Sequence, residues 1–334
     1  GDAGGGVAAL RGGWVVTMRT PSSLTLALAQ AALLLALGPL VTGVVQKLKA
    51  RLQCRRGASV LQPYRDLVKL SRKGAVVSDT ASPFFRVLPA LVLGATVTGA
   101  FLVPVLWAPA AAHFPLGDAI LLIGLLALAR FLLAVGALDA GGAFGGMGAS
   151  REMTVGLLVE PALMMVVFSI ALAGGTTDLG ELAARRHQWD ALAWQAPDLL
   201  GLLAALVVLL AETGRIPVDN PDTHLELTML HEGMLLEHSG PGLMCLALAT
   251  HTKQLIVISL VITLFFPPAV LAGASLGAGA LLLALGAFLA KALALAVFLA
   301  VVESSYAKLR LFRVPKFLGL GLLCAFLALA LRVL

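Results

Sequence analysis

Long apolar runs separated by short charged segments set the pattern of this chain, at 23–45, 85–107, 116–138, 154–174, 198–211, 243–266, 277–302 and 314–334. A bilayer core about 30 Å thick is crossed by roughly 20 apolar residues of helix, so each run predicts a transmembrane helix, the fifth a short one. None shows the polar alternation of barrel strands. The predicted fold is therefore all-α, a polytopic membrane protein of about eight transmembrane helices in one membrane domain over 23–334. Residues 1–22 are Gly-rich and unpatterned, with the first Met at position 18. They lack the charged region, apolar run and cleavage site of a signal peptide and are read as an N-terminal extension from an over-extended start.

The longest polar gaps lie at 46–84 and 212–242. In the first, Leu61, Tyr64, Leu67, Val68 and Leu70 recur at helical spacing against Arg65, Asp66, Lys69 and Lys73. This spacing predicts an amphipathic helix lying in the membrane interface. Such a helix suits lipid anchoring and docking of a soluble partner alike.

Composition agrees with a lipid solvent. With 59% hydrophobic residues, 13% charged and a mean hydropathy of +0.96 over 334 residues, there is too little polar surface for a soluble protein of this size. The net charge of +6 does not indicate nucleic acid, because the basic residues are sorted by loop. Sixteen Lys and Arg follow spans one, three, five and seven, against five on the opposite side. That bias predicts a multi-pass protein of the cell (inner) membrane with both termini outside; Arg185 and Arg186, placed outside, run against it. Cys54, Cys245 and Cys324 form no C-x-x-C pair for a cluster, a zinc ion or haem, so no cofactor is expected in this chain.

Ionisable residues at membrane depth mark candidate chemistry, since they are costly there and usually belong to ion or proton paths. Glu160 precedes Pro161 about two turns beyond Glu152, and Lys253 and Lys291 sit inside the sixth and seventh runs. Lys291 and Glu303 are 12 residues apart, about 18 Å along a helix, so each needs another partner. The Gly-rich stretch at 141–152 has no preceding strand and no Walker lysine, and is read as a sharp turn with close backbone packing, leading to Arg151 and Glu152 at the start of the fourth span. The segment 211–240 is the densest. Glu212, Asp219, Asp222, Glu226, Glu232 and Glu237 face a single arginine, Arg215, among Leu and Met residues. Carboxylates crowded in a partly dry region repel one another and lose hydration, which suits them to exchange protons near neutrality. His231-Glu232 begins like a zinc-protease motif, but position 235 is Leu, so the ligand pair is missing.

These motifs carry a resemblance. RRGASVLQPYRDLVKL, GASREMTVGLLVEP, E-x-x-R-I-P-V-D at 212–219, LEL at 225–227 and EHSG at 237–240 together resemble the membrane subunit 1 family of respiratory complex I. The likeness is nearest to the branch formed by the corresponding membrane subunits of hydrogenase-4 and formate hydrogenlyase. It implies a subunit of an energy-converting oxidoreductase on which a hydrophilic hydrogenase or dehydrogenase arm docks, beside an iron-sulfur subunit and antiporter-like membrane subunits. Nickel-iron and iron-sulfur centres would belong to those partners. By motif, Glu160, Glu212, Asp219, Glu226 and Glu237 correspond to acidic residues of the proton path, and Arg151 and Arg215 to their basic partners. Glu232, Lys253 and Lys291 join the candidate coupling set by position. Ala58 stands where the family commonly has proline, and His238 where it commonly has tyrosine. A quinone-binding subunit and a free-standing ion transporter remain as alternatives, although no internal repeat of the transporter kind is visible.

Overall fold

The computed structural model describes residues 21–106, 117–187, 194–219, 230–266, 278–309 and 311–334. Its elements are α1 (Pro21–Leu52), α2 (Gln62–Ser71), α3 (Pro83–Leu102), α4 (Ala119–Asp139), α5 (Ala143–Gly174), α6 (Leu179–His187), α7 (Ala196–Glu212), α8 (His231–Leu235), α9 (Gly240–Phe265), α10 (Ala278–Ser305) and α11 (Val314–Val333). Among the described residues, α1, α3, α4, α5, α9, α10 and α11 are long and apolar enough to cross a bilayer. The 17 residues of α7 rise roughly 26 Å. This helix packs against α5, α9 and α11 and stands in the bundle as its eighth, shortest member.

The core runs along α9. From Gln254 to Phe265 every residue is buried, because α1 and α3 cover one side and α7 another. The sequence anticipates this with QLIVISLVITLF, which has no polar face to turn outward. Its two hydroxyls are satisfied within the helix, Ser259 by the Leu255 carbonyl at 2.7 Å and Thr263 by the Ser259 carbonyl at 2.9 Å. A second layer forms where α11 packs on α5 and α7.

The Gly-rich stretch departs from the expected turn. Gly141, at φ +72°, does reverse the chain, but α5 begins at Ala143 and carries the remainder as helix. Small residues make that possible. A Cβ on Gly145 would lie 2.8 Å from the Ala137 carbonyl oxygen, and one on Gly148 2.9 Å from that of Leu230. The helix therefore extends beyond the apolar run that marks its membrane part, held against α4 and the start of α8.

The amphipathic helix forms at α2. The loop before it rests on α1, where a Cβ on Gly43 would meet the Val60 carbonyl oxygen at 2.0 Å. The Tyr64 hydroxyl donates to the Ala36 carbonyl, and partial burial pushes the phenol above its ordinary range. Leu61, Arg65, Val68 and Lys69 remain exposed.

At the opposite end of the bundle, Arg185 donates to the Gly174 carbonyl and to Glu181. Arg186 is buried and pairs with Asp198 at 2.9 Å, and Arg332 reaches the same carboxylate at 2.6 Å. Of the two arginines that run against the charge bias, Arg186 is thus buried in a pair with a neighbouring helix, whereas Arg185 stays exposed beside Glu181 of its own helix.

Candidate functional site

The site is assembled around Arg130, which interrupts an otherwise apolar face of α4 and is buried. Opposite it, α5 places Glu152 and Glu160 two turns apart with Gly156 midway. A Cβ on Gly156 would lie 2.8 Å from Arg130 Nη1, so the missing side chain is the seat of the guanidinium. Arg130 Nη1 donates to Glu160 Oε1 at 2.6 Å, its Nε lies 3.5 Å from Glu152 Oε1, and its Nη2 donates to Glu212 Oε1. Glu212, the buried last residue of α7, binds Lys253 Nζ of α9 through its other oxygen at 2.8 Å. Three carboxylates thus face two cations, leaving one negative charge when all are ionised. A guanidinium suits this position because its planar fork serves several acceptors at once.

Beyond Glu212 the chain turns at Gly214, φ +57°, and sends Arg215 inward. Arg215 donates to Glu303 Oε1 of α10 and to Gln254 Oε1, both at 3.0 Å, and Lys49 of α1 reaches Glu303 Oε2 at 3.3 Å. The Thr42 hydroxyl also lies 3.0 Å from Gln254 Oε1 and 3.2 Å from His251 Nδ1. Four residues on, Asp219 binds Lys308 at 2.9 Å and accepts from the backbone N–H groups of Leu230 and His231 at 3.3 Å, which fixes the start of α8. Of these groups, Thr42, Lys49, Arg215, Asp219, His251 and Gln254 border a cavity of about 720 Å³, lined also by Gln46, Arg55, Arg56 and Glu232. Glu212 lines it as well, so the buried cluster touches the cavity directly.

The fold and this buried charge array accompany a decisive likeness: the family model described as NADH dehydrogenase matches residues 24–333. The chain belongs to the NADH dehydrogenase family. Curated relatives include formate hydrogenlyase subunit 4 of Escherichia coli (strain K12), 36% identical with 90% of this chain and 96% of the relative covered. Hydrogenase-4 component C of the same organism is also 36% identical, covering 90% and 93%. NADH-quinone oxidoreductase subunit 8 of Rhodothermus marinus is 26% identical over 63% of this chain and 61% of its own. Among solved structures, a chain of the membrane-bound sulfane sulfur reductase, an archaeal respiratory membrane complex, superposes with a TM-score of 0.75 at 20% identity, covering 93% of this chain and 99% of that one. That last likeness speaks for the shared fold.

Within this NADH dehydrogenase family chain, the structure sorts the expected residues. Glu160, Glu212 and Lys253 meet in the cluster; Asp219, Arg215 and Glu232 line the adjoining cavity. The expected crowding of carboxylates is answered by cations at Glu212 and Asp219. Glu237 lies apart, its carboxylate against Gly142, where a Cβ would be 2.0 Å away. Arg151 lines a separate groove between α5 and the start of α11. Lys291 is far from the cluster, donating at 3.3 Å to the Phe266 carbonyl that ends α9. Glu226 lies outside the described residues. Arg130 and Glu303 are not in the expected set, yet both are central. Arg130 carries a readable signal, an arginine within the apolar sequence AILLIGLLALARFLLAVG at 119–136. The partners of Glu303 come from α1 and the turn after α7, too distant in sequence to be read.

Just before α9, His238 stacks on Phe85 of α3 with ring centroids 4.2 Å apart and planes 2° from parallel. Burial lowers its pKa to about 4, so the imidazole is neutral and behaves as an aromatic ring. Among the described residues no group of three His, Cys, Asp or Glu side chains is gathered for a metal ion.

Proposed function

We propose that this chain is the membrane subunit of an energy-converting oxidoreductase of the formate hydrogenlyase and hydrogenase-4 kind, and that it couples electron transfer in a docked hydrophilic arm to proton movement. The observation that carries the reading is the Glu152, Glu160, Arg130, Glu212, Lys253 array, set at membrane depth yet touching a polar cavity. With one excess negative charge, the array becomes neutral on taking up one proton. A charge change in the cavity shifts that occupancy through Coulomb interaction, which is strong where water is excluded. The same change reaches Asp219 at the cavity wall, and Glu303 behind it through the lining residues Lys49 and Arg215.

The arm would rest on the face formed by α2, the 53–57 turn and the cavity rim, on the cytoplasmic side, with both termini outside the inner membrane. Nickel-iron and iron-sulfur centres would be held by the arm and an iron-sulfur subunit. Antiporter-like subunits would receive the proton signal laterally, with Glu226, Glu237 and Lys291 as further members of the path. The cavity volume also favours a second reading, a quinone headgroup site as in the NADH-quinone oxidoreductase relatives. Its many charged walls, Lys49, Arg55, Arg56, Glu212, Arg215, Asp219 and Glu232, suit a hydrated vestibule better.

In the intact complex, in inverted membrane vesicles, Glu212→Gln and Glu160→Gln are expected to lower protons moved per electron by roughly ten-fold or more, as loss of a proton-transferring group does. Full coupling in both variants would remove the proposal. Redox turnover that requires added quinone would favour the second reading instead.

A further inference from the structure

Two cavities meet at one pair of side chains. The large one is the polar vestibule of about 720 Å³; a second, of about 30 Å³, lies against Arg130, Glu152 and Lys253. His231 and Thr250 line both. The smaller space is polar on one side and large enough for a single water molecule rather than a ligand.

The hydrogen bonds at this pair fix the state of the ring. Thr250 donates its one hydroxyl hydrogen to the Leu246 carbonyl at 2.9 Å, so toward His231 it accepts. His231 Nε2, 3.1 Å from that hydroxyl, therefore carries a hydrogen, which leaves the Nδ1 lone pair available in the neutral ring. The backbone N–H of His231 is bound to Asp219, so the residue is anchored as well as oriented. Four charged groups face it from four elements. Glu152 of α5 and Asp219 after α7 favour the imidazolium, whereas Lys253 of α9 and Arg130 of α4 oppose it. Burial is the largest influence and holds the ring below its ordinary pKa, so it rests neutral. Glu232, the next residue, lines the large cavity.

We propose that His231, seated on Thr250, transfers protons between the vestibule and the Arg130 cluster, Nδ1 taking up a proton from cavity water and yielding it to the Glu152 carboxylate across the small chamber. Only bonds to the proton change, and the ring returns to its neutral form with Nε2–H on Thr250. This assignment rests on the coupling role proposed above and names its entry point. The four facing charges act as a balance: an added negative charge in the vestibule favours the imidazolium, and neutralising Glu152 or Asp219 disfavours it.

The test uses the assembled complex in vesicles, with rates normalised to the amount of complex. His231→Gln keeps an amide donor for Thr250 but carries no proton, and is expected to slow coupled proton movement by roughly ten-fold or more and to flatten the acid limb of its pH profile. Thr250→Val removes the acceptor that fixes the tautomer and is expected to move the midpoint of that limb, while Thr250→Ser restores it. An unchanged rate and profile in His231→Gln, or an unmoved midpoint in Thr250→Val, overturns the assignment. Coupled His231→Gln beside uncoupled Glu212→Gln or Glu160→Gln removes the relay and leaves the coupling role standing; coupled behaviour in all three variants removes the two together.

Discussion

Arg130 shows how a single side chain holds a membrane-buried site together. Its guanidinium is shared by Glu152, Glu160 and Glu212, with Lys253 as the remaining cation. Removing one partner of a buried ion pair costs about 3–5 kcal/mol because the other charge is left without compensation. Arg130→Gln is therefore expected to lower the thermal stability of the detergent-solubilised complex sharply, or to prevent its accumulation, at neutral pH. Arg130→Lys retains the charge but lacks the fork, so it should assemble with impaired coupling. A glutamine variant as stable as the parent would show that the carboxylates do not depend on this arginine. Most of the site is legible in the sequence, since Glu160 and Lys253 stand out in apolar runs and Glu212 opens the densest polar motif. Its assembly is not, because which carboxylates converge on Arg130 depends on the packing of α4, α5 and α7.

At the scale of elements, glycines set how closely helices and loops approach. The sequence marks the position of each span by its apolar run, but not how far a helix continues outside the membrane. In α5 the apolar run predicts a start at 154, whereas the helix begins at Ala143 because Gly145 and Gly148 let it rest on α4 and α8. The amphipathic helix α2 is readable from its spacing, but its seat on α1 is not. That seat is Gly43, where a Cβ would stand 2.0 Å from the Val60 carbonyl oxygen. The obstructing atom is backbone, so the loop itself must move. Gly43→Ala is expected to cost about 1–3 kcal/mol, the usual range for overpacking. It should also loosen the 53–61 loop, seen as faster limited proteolysis there, with little change for Gly94→Ala, where added volume meets nothing within 4 Å. Equal protection of the loop in both Gly→Ala variants would dissociate the α2 anchor from this contact.

The whole molecule has two polar ends of different character. One carries the vestibule, the Arg130 cluster on its inner wall, α2 and most of the loop lysines and arginines. At the other, Arg186, Arg332 and Asp198 are locked to one another. Orientation by positive charge depends on Lys and Arg in short loops near the headgroups, and arginines consumed in a buried pair contribute little to it. Discounting them strengthens the bias already present in the loop counts, and with it the proposal that the vestibule opens on the cytoplasmic face. The three cysteines provide a direct measurement. Cys54 is exposed in the turn after α1, whereas Cys245 is partly covered and Cys324 is buried within the bundle. A membrane-impermeant maleimide is expected to label Cys54 in inverted vesicles stripped of peripheral subunits and to leave intact cells unlabelled. Cys54→Ser should abolish the signal. Restoring the hydrophilic arm should protect the site, because Gln53, Arg55 and Arg56 beside it form the vestibule rim on which the arm would sit. Labelling of Cys54 from the outside of intact cells would invert the topology, and would separate the vestibule from any arm in the cytoplasm.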